Sequence, residues 1–175
     1  STGASRLLML RERLMRECDA ISGSRFLKGI ISIGGITREI DDAILVHLKK
    51  PVEEVGTELP GLFRWLYTVP SIHDRFATTG IIRPDLIRPL ALSGPVARAS
   101  GSYTDTRTDH PYGVYLFRQP DGSRETKGDV LARFLVKSEE VAASLRFISD
   151  LISVLTSRCE VIPNLEEGYS ILVVS

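Results

Sequence analysis

The stretch "GDVLARFLVKSEEVAASLRFISDLISVLTS", residues 128–157, carries the clearest helical pattern in this sequence. Its apolar residues recur at alternating spacings of three and four when Ser138 is counted among them: Phe134, Val141, Leu145, Ile148, Ile152 and Leu155. This spacing aligns them on one stripe of a helix about eight turns long. Arg133 and Glu140 share another face of its first half with Lys137. The stretch therefore predicts a long amphipathic C-terminal helix.

Two segments upstream also have helical spacing. Within residues 5–20 one stripe predicts an amphipathic helix; it comprises Leu7, Leu10, Leu14 and Cys18. Helical spacing returns across residues 40–67. Pro51 and Pro60 are predicted to break this run into two or three pieces, because an interior proline removes a helix hydrogen bond. Residues 70–91 are predicted to form short helices joined by turns.

Extended structure is predicted in three places. Ile30, Ile31 and Ile33 favour a strand that turns at Gly34–Gly35, after which Thr37 is a plausible N-cap for the next helix. Residues 112–122 predict a strand that ends in a turn at Pro120–Asp121–Gly122, and the closing "YSILVVS" (169–175) predicts another short strand. The predicted fold is one mainly helical α+β domain over residues 1–175. It combines bundle-like helices, a long irregular loop, a small strand or hairpin element and the long C-terminal helix.

The composition narrows the classes of function. The chain has 175 residues, 43% of them hydrophobic and 25% charged, with 22 basic and 22 acidic residues. It is long enough for a buried core, and its zero net charge argues against nucleic-acid binding. No apolar run is long enough to span a bilayer, so a membrane role is expected to come through partners. The opening "STGAS" has no initiator Met and no signal-peptide pattern, so an excised piece of a longer protein is expected.

The sequence contains no recognisable catalytic or metal-binding motif. Cys18 and Cys159 are far apart, and the three histidines show no ligand spacing. HExxH, GxSxG, GxGxxG and Walker A patterns are all absent. We therefore expect no catalytic residue, no metal ligand and no cofactor within this chain.

One loop nevertheless concentrates ionic side chains. The segment "LSGPVARASGSYTDTRTDHPYGVY" (92–115) carries charges of alternating sign at Arg98, Asp105, Arg107, Asp109 and His110. In one interpretation they pair with each other and lock an irregular loop whose backbone has no ladder to satisfy it. In the other they face a neighbouring subunit or a cofactor held elsewhere.

Several segments, in a fixed order, resemble a known family. They are "SGSRFLKGIISIGGITREI" (22–40), "TTGIIRPDLIRPLALSG" (78–94), "GPVARASG" (94–101), "DTRTDHPYGVY" (105–115) and "GDVLARFLVKSEEVAAS" (128–144). Together they resemble the large subunit of group 4, energy-converting NiFe (nickel–iron) hydrogenases. They equally resemble its homologue, the quinone-site core subunit of respiratory complex I (NADH:quinone oxidoreductase). The resemblance implies the central part of such a subunit.

The resemblance also implies cofactors and partners that lie outside the chain. The full assembly would use a NiFe centre or a quinone, with iron–sulfur clusters in a small partner subunit. That subunit and membrane subunits would place the chain in the cytoplasm, peripheral to the inner membrane. The two CxxC pairs that hold nickel and iron in the hydrogenases do not occur here, nor does the early His-Arg-Gly segment of the complex I subunits. The resemblance then makes Arg98, Arg107 and His110 of the loop candidates for a cavity wall or an interface, with Arg133 and Glu140 of the long helix as their ionic partners.

Three hypotheses follow for function. The first is part of an oxidoreductase subunit whose isolated chain has no redox activity. The second is a cofactor-free, degenerate relative that serves as a binding or assembly module. The third is an unrelated helical enzyme with its site in residues 92–115.

Overall fold

The computed structural model describes residues 2–33 and 35–157. Six α-helices and one small hairpin are found there: α1 (Thr2–Ser22), β1 (Ile31–Ser32), β2 (Gly35–Ile36), α2 (Asp42–Thr68), α3 (Pro70–Phe76), α4 (Gly94–Ala99), α5 (Thr106–Asp109) and α6 (Val130–Ser157). Short 3₁₀ helices span Pro84–Leu86 and Gly113–Leu116. The prediction of a mainly helical fold with a hairpin and a long C-terminal helix is confirmed. Within these ranges no helix has the length and apolar character needed to cross a membrane.

Helix α2 lies between α1 and α6 and runs antiparallel to both. Gly3 at the start of α1 lies beside Trp65 near the end of α2. Phe63 of α2 makes an edge-to-face contact with Phe134 near the start of α6, with ring centroids 5.7 Å apart. These contacts define a three-helix bundle.

The main core fills the space between these three helices. One contiguous cluster of buried side chains comprises Leu10, Leu45, Val52, Val55, Leu59, Leu62, Leu145 and Ile152. A second, smaller cluster joins α4 to the first half of α6 through Ala99, Ala132 and Val136. Helix α6 therefore packs against two different neighbours on two of its faces.

This double packing changes which residues of α6 are buried. Leu145 and Ile152 of the predicted stripe are in the core, but Val141, Ile148 and Leu155 are exposed. The prediction missed the small residues Ala132 and Ala143, which are also buried, Ala132 on the face that packs against α4. A hydrophobicity pattern finds one large-residue stripe, whereas α4 approaches α6 over alanines.

The prediction that prolines divide the second helical segment is wrong. Pro51 and Pro60 both lie inside α2, which is one helix of 27 residues. An interior proline costs a helix roughly 3 kcal/mol. Burial of apolar side chains on both sides of each proline offsets that cost; they are Leu45, Val52, Val55, Leu59 and Leu62.

The predicted extended segment forms as β1, which pairs with a second strand, β2, that was not predicted, and the predicted helix cap is wrong. Ile31 pairs with Ile36, and Ser32 with Gly35. Thr37 is not the N-cap, because its hydroxyl donates to the carbonyl of Gly29 at 2.6 Å. Asp41 caps α2 instead, its Oδ1 accepting from the N–H of Ile44 at 2.8 Å.

The prediction of a strand over residues 112–122 is wrong. Residues 113–116 form a 3₁₀ helix that begins at Gly113, whose φ is +53°. No partner strand is found for this segment among the described residues, so its alternating pattern has nothing to pair with. Residues 92–115 are also less irregular than predicted, since α4 and α5 lie within them. The predicted strand at 169–175 lies outside the described residues.

A polar junction fastens the start of α6 to the rest of the chain. Asp129 is buried and caps α6: Oδ1 accepts from the N–H of Ala132 at 2.8 Å and Oδ2 from the N–H of Thr78 at 2.9 Å. Burial by itself would raise the pKa of this carboxyl, but those two N–H groups lower the pKa below its ordinary value. Gly128 donates its N–H to the carbonyl of Ala99 and accepts from the N–H of Ile82. Gly128 and Asp129 therefore join the start of α6 to the end of α4 and to the chain at residues 78–82.

Gly128 is the position in this junction most sensitive to substitution. Its φ is +66°, and an added Cβ would lie 2.2 Å from the carbonyl oxygen of Ile82. We expect Gly128→Ala to lower the free energy of unfolding by at least about 3 kcal/mol, since strain and a backbone clash add together. Gly29→Ala is the matched control, because Gly29 has a φ of +75° with open space around it.

Urea denaturation of both variants measures the difference. The control is expected to cost about 1–2 kcal/mol, the strain of the left-handed backbone alone. Equal losses in the two variants would show that the close approach at Ile82 does not matter.

Candidate functional site

Helix α4 places the first residue of the candidate site. Pro95 stands in its first turn, and Ala97 and Ala99 are fully buried. Their small side chains let α4 approach α6 closely at Ala132 and Val136. Arg98 is consequently buried as well, with 8% of its surface exposed. A guanidinium cannot lose its positive charge in a protein, so this burial requires carboxylate partners.

Two carboxylates, those of Glu140 and Asp105, balance the positive charge of Arg98. Arg98 Nε donates to Glu140 Oε1 of α6 at 2.5 Å. Arg98 Nη1 lies 3.5 Å from Asp105 Oδ2, just before α5. Glu140, one of the two ionic partners that the resemblance implied on the long helix, thus pairs with Arg98.

Asp105 is the centre of the arrangement. It is the N-cap of α5, accepting from the N–H of Arg107 at 3.0 Å. The Arg107 guanidinium also donates two hydrogen bonds to the Asp105 carboxylate, Nε to Oδ1 at 3.0 Å and Nη2 to Oδ2 at 2.6 Å. Arg98, Asp105, Arg107 and Glu140 thus form one ionic cluster that joins α4, α5 and α6.

The two arginines and two carboxylates make the cluster neutral overall. Its contacts strongly lower the pKa of the central carboxyl, that of Asp105. The hydrogen bonds from the Arg107 side chain lower the pKa of Asp105 to about 2, helped by the Arg107 N–H and by the charge of Arg98. The same contact raises the pKa of Arg107 above its ordinary value. Both groups are therefore held in their charged forms, which suits positioning and not proton transfer.

The other predicted site residues lie at the margin of the cluster or outside it. Asp109 is exposed, and its Oδ2 accepts from the N–H of Asp105 at 3.0 Å. His110 is exposed where α5 ends, and its N–H bonds to the carbonyl of Thr106. The prediction of Arg133 as an ionic partner of the loop is wrong. Its guanidinium donates to the carbonyls of Gly80 and Gly128 at 3.0 and 2.8 Å.

Aromatic residues that the sequence pattern did not single out complete the site. Tyr115 stacks on Phe147 of α6, with centroids 5.8 Å apart and planes 19° apart. Arg118 lies over the same ring and pairs with Asp150, also on α6. The segment is therefore fastened to a second stripe of α6, at Glu140, Phe147 and Asp150. This mixed stripe has helical spacing in the sequence, and that spacing is the signal that could have found it.

The turn held by these contacts presents apolar side chains to solvent. Tyr112 and Leu116 are exposed, and Phe117 is 89% exposed. We call these three residues the apolar patch. A short segment with several exposed large side chains, held rigidly from beneath, has the character of a protein-binding surface.

Potential metal ligands do not gather in the part of the chain that the structure describes. No cluster of three or more His, Cys, Asp or Glu side chains is found there. Cys18 is a half-buried free thiol in α1, and burial raises its pKa. Cys159 lies outside the described residues.

Because of the Asp105 carboxylate, the free energy of unfolding should fall as the pH is lowered into the acid range. Its folded pKa lies below the ordinary 3.8, so its contribution is fully present above pH 3.8 and is lost as the pH falls toward about 2. We expect the stability advantage of the natural protein over Asp105→Asn to shrink by on the order of 1–2 kcal/mol across that range. Urea unfolding at a series of pH values measures it. Thr104→Ala, a neighbouring change without charge, should keep the natural pH dependence; a pH-independent gap between natural protein and Asp105→Asn would refute the assignment.

Comparison with known proteins identifies the family. The family described as "Respiratory-chain NADH dehydrogenase, 49 Kd subunit" matches residues 1–166. A subunit of the NADH-quinone oxidoreductase of Desulfotalea psychrophila is 34% identical over 146 residues, covering 83% of this chain and 39% of that protein. Formate hydrogenlyase subunit 5 of Escherichia coli is 29% identical over 147 residues, covering 84% of this chain and 26% of that protein.

The fold leads to the same group of proteins. A chain of the membrane-bound sulfane sulfur reductase, described as an archaeal respiratory membrane complex, superposes with a TM-score of 0.77 and 26% identity. That match covers 84% of this chain and 40% of the other. The chain therefore spans about a quarter to two fifths of the length of these relatives. With the family match extending over nearly its whole length, this chain belongs to the family of the 49 kDa subunit of respiratory-chain NADH dehydrogenase.

Proposed function

We propose that this chain is the central part of a large subunit of a membrane-associated oxidoreductase complex. The observation that carries the proposal is the family match over residues 1–166, since the relatives named above are NADH-quinone oxidoreductase and hydrogenlyase subunits. The fold of a respiratory complex subunit supports it independently. In this proposal the chain contributes structure and docking to electron transfer, and other segments and subunits carry the electrons.

The side chains present do not fit a NiFe centre. By resemblance such a centre takes four thiolates from two CxxC pairs, whereas this chain has two cysteines at positions 18 and 159. We accordingly assign the NiFe centre, or the quinone site, to segments outside residues 1–175, and the iron–sulfur clusters to a small partner subunit. No step of the chemistry is assigned to a residue of this chain.

The ionic cluster and the apolar patch have separate roles in this proposal. The cluster is internally neutralised, with Arg98 buried and its three partners partly buried, so it serves to hold α4 and α5 on α6. The apolar patch is exposed and is the part that would contact the iron–sulfur subunit. Through that subunit and the membrane subunits the chain would sit on the cytoplasmic side, peripheral to the inner membrane.

A cofactor-free relative that acts only as an assembly module is the second candidate. It shares the same fold and docking surface and differs only in what flanks residues 1–175. CxxC pairs on both sides support a hydrogenase subunit. Their absence, with an upstream His-Arg-Gly segment present, supports a quinone-site subunit; absence of both supports the assembly module.

Metal and absorbance analysis of the purified chain tests the placement of the cofactors. We expect no stoichiometric nickel or iron in residues 1–175, because two cysteines are too few for the thiolate ligands of a NiFe centre or an iron–sulfur cluster, and we expect no flavin absorbance. The control is a longer chain that includes the flanking segments, purified in the same way. Stoichiometric nickel in the 175-residue chain would overturn the proposal.

Paired substitutions separate the structural role of the cluster from the docking role of the patch. Arg107→Ala should lower the free energy of unfolding by about 2 kcal/mol, because Asp105 loses a two-point charged hydrogen bond while keeping Arg98. Phe117→Asp should leave the melting temperature within about 2 °C, since the ring is exposed. It should nevertheless weaken capture of the co-expressed iron–sulfur subunit by about tenfold or more, as expected of an interface aromatic.

Leu90→Asp is the matched control, as Leu90 is a similarly exposed apolar residue outside the apolar patch. It should change neither melting nor capture. If Leu90→Asp weakens capture as much as Phe117→Asp, the apolar patch is not the docking surface.

A further inference from the structure

The outer side of α1 contains a groove unrelated to the ionic cluster. After α1 the chain turns at Gly23, where φ is +70° and the N–H bonds to the carbonyl of Asp19 at 2.7 Å. The turn carries Arg25 and Phe26 back along α1. Between them and the helix lies a cavity of about 700 Å³, lined by Leu8, Met9, Arg11, Glu12, Arg13, Met15, Arg16, Arg25 and Phe26.

The apolar part of this groove is exposed. Leu8, Met9 and Phe26 have 60%, 66% and 64% of their surfaces open to solvent. A small-molecule site encloses most of its ligand, and side chains this open cannot do so. Leu8 to Arg16 extends about 12 Å along α1, which matches about two turns of a second helix lying alongside.

The charged part of the groove is strongly one-sided. Four of its five charged lining residues are arginines, and Glu12 is the one carboxylate. Arg13 is neutralised from the α2 side, by Glu58 at 2.9 Å and Glu54 at 3.5 Å. The other three arginines outnumber Glu12, so the groove keeps an excess of positive charge.

Two of those arginines are held in place. Glu12 Oε1 accepts from Arg25 Nη1 at 3.0 Å and from Arg16 Nε at 3.2 Å. Both guanidinium groups keep further N–H donors for a ligand, because each has five. Binding to such a preorganised pair costs less conformational entropy than binding to free side chains.

We infer that this groove docks an acidic amphipathic helix of a partner polypeptide. The apolar face of that helix would cover Leu8, Met9 and Phe26, and its carboxylates would meet Arg11, Arg16 and Arg25. Charge complementarity selects an acidic segment over a basic one. The surface lies on a different helix from the apolar patch, so this docking does not depend on the function proposed above.

Fluorescence anisotropy with two synthetic peptides of about 15 residues tests the inference. One labelled peptide has leucines at helical spacing and glutamates elsewhere; the other has lysine in place of every glutamate. The 175-residue chain should bind the acidic peptide at least about tenfold more tightly than the basic one. Added salt should weaken that binding, since the charges are at the surface.

Three variants locate the binding. Arg11→Glu/Arg16→Glu and, independently, Leu8→Asp should each weaken binding of the acidic peptide about tenfold, with helix content checked by circular dichroism. The control Lys49→Glu/Arg88→Glu makes the same charge change at exposed positions elsewhere and should weaken it much less.

Several results would overturn the inference. They are equal affinity for the two peptides, no binding of the acidic peptide, and equal loss in the control variant. A concentration-dependent dimer that Arg11→Glu/Arg16→Glu abolishes would give the groove to a second copy of the chain, and would equally overturn it.

Discussion

The buried guanidinium of Arg98 is the constraint on which the arrangement of α4, α5 and α6 depends. A charge that is 8% exposed must be compensated where it lies. Glu140 compensates it from α6, and Asp105 from the start of α5. The partners are 42 and 7 positions away in sequence, so their contacts fix a distant helix and a local turn at once. An unpaired Arg98 would be too costly for this packing to persist.

Small residues make the close approach of α4 to α6 possible. Ala99 meets Ala132 and Val136 with no exposed surface between them, and Gly128 passes the carbonyl of Ile82 without a Cβ. Larger side chains at these points would move α4 outward and separate Arg98 from Glu140. Close packing and charge pairing are therefore one condition on this half of the molecule, and the apolar core of α2 is a second, independent one.

The sequence predicts those structural features that depend on residues close to one another along the chain. Spacing and sign suffice for helices α1 and α6, for the extended chain at β1 and for the opposite charges of Arg98 and Glu140. Pro51 and Pro60 mislead, because burial along α2 is a tertiary gain that no local rule contains. Arg133 misleads for a different reason: it binds backbone carbonyls, which leave no mark in the sequence. The stacking of Tyr115 on Phe147 is missed because residues 112–117 alternate like a strand but have no strand to join among the described residues.

The ionic cluster and the exposed surfaces around it differ in whether their side chains are already satisfied within the protein. The charges of Asp105 and Arg107 are satisfied internally, so little of their interaction energy is left for a ligand. The exposed ring of Phe117 is the opposite case, and Arg16 and Arg25 beside Leu8 keep N–H donors beyond those that bind Glu12. Under the two docking proposals, a chain built this way would contribute rigidity from within and recognition at its surface.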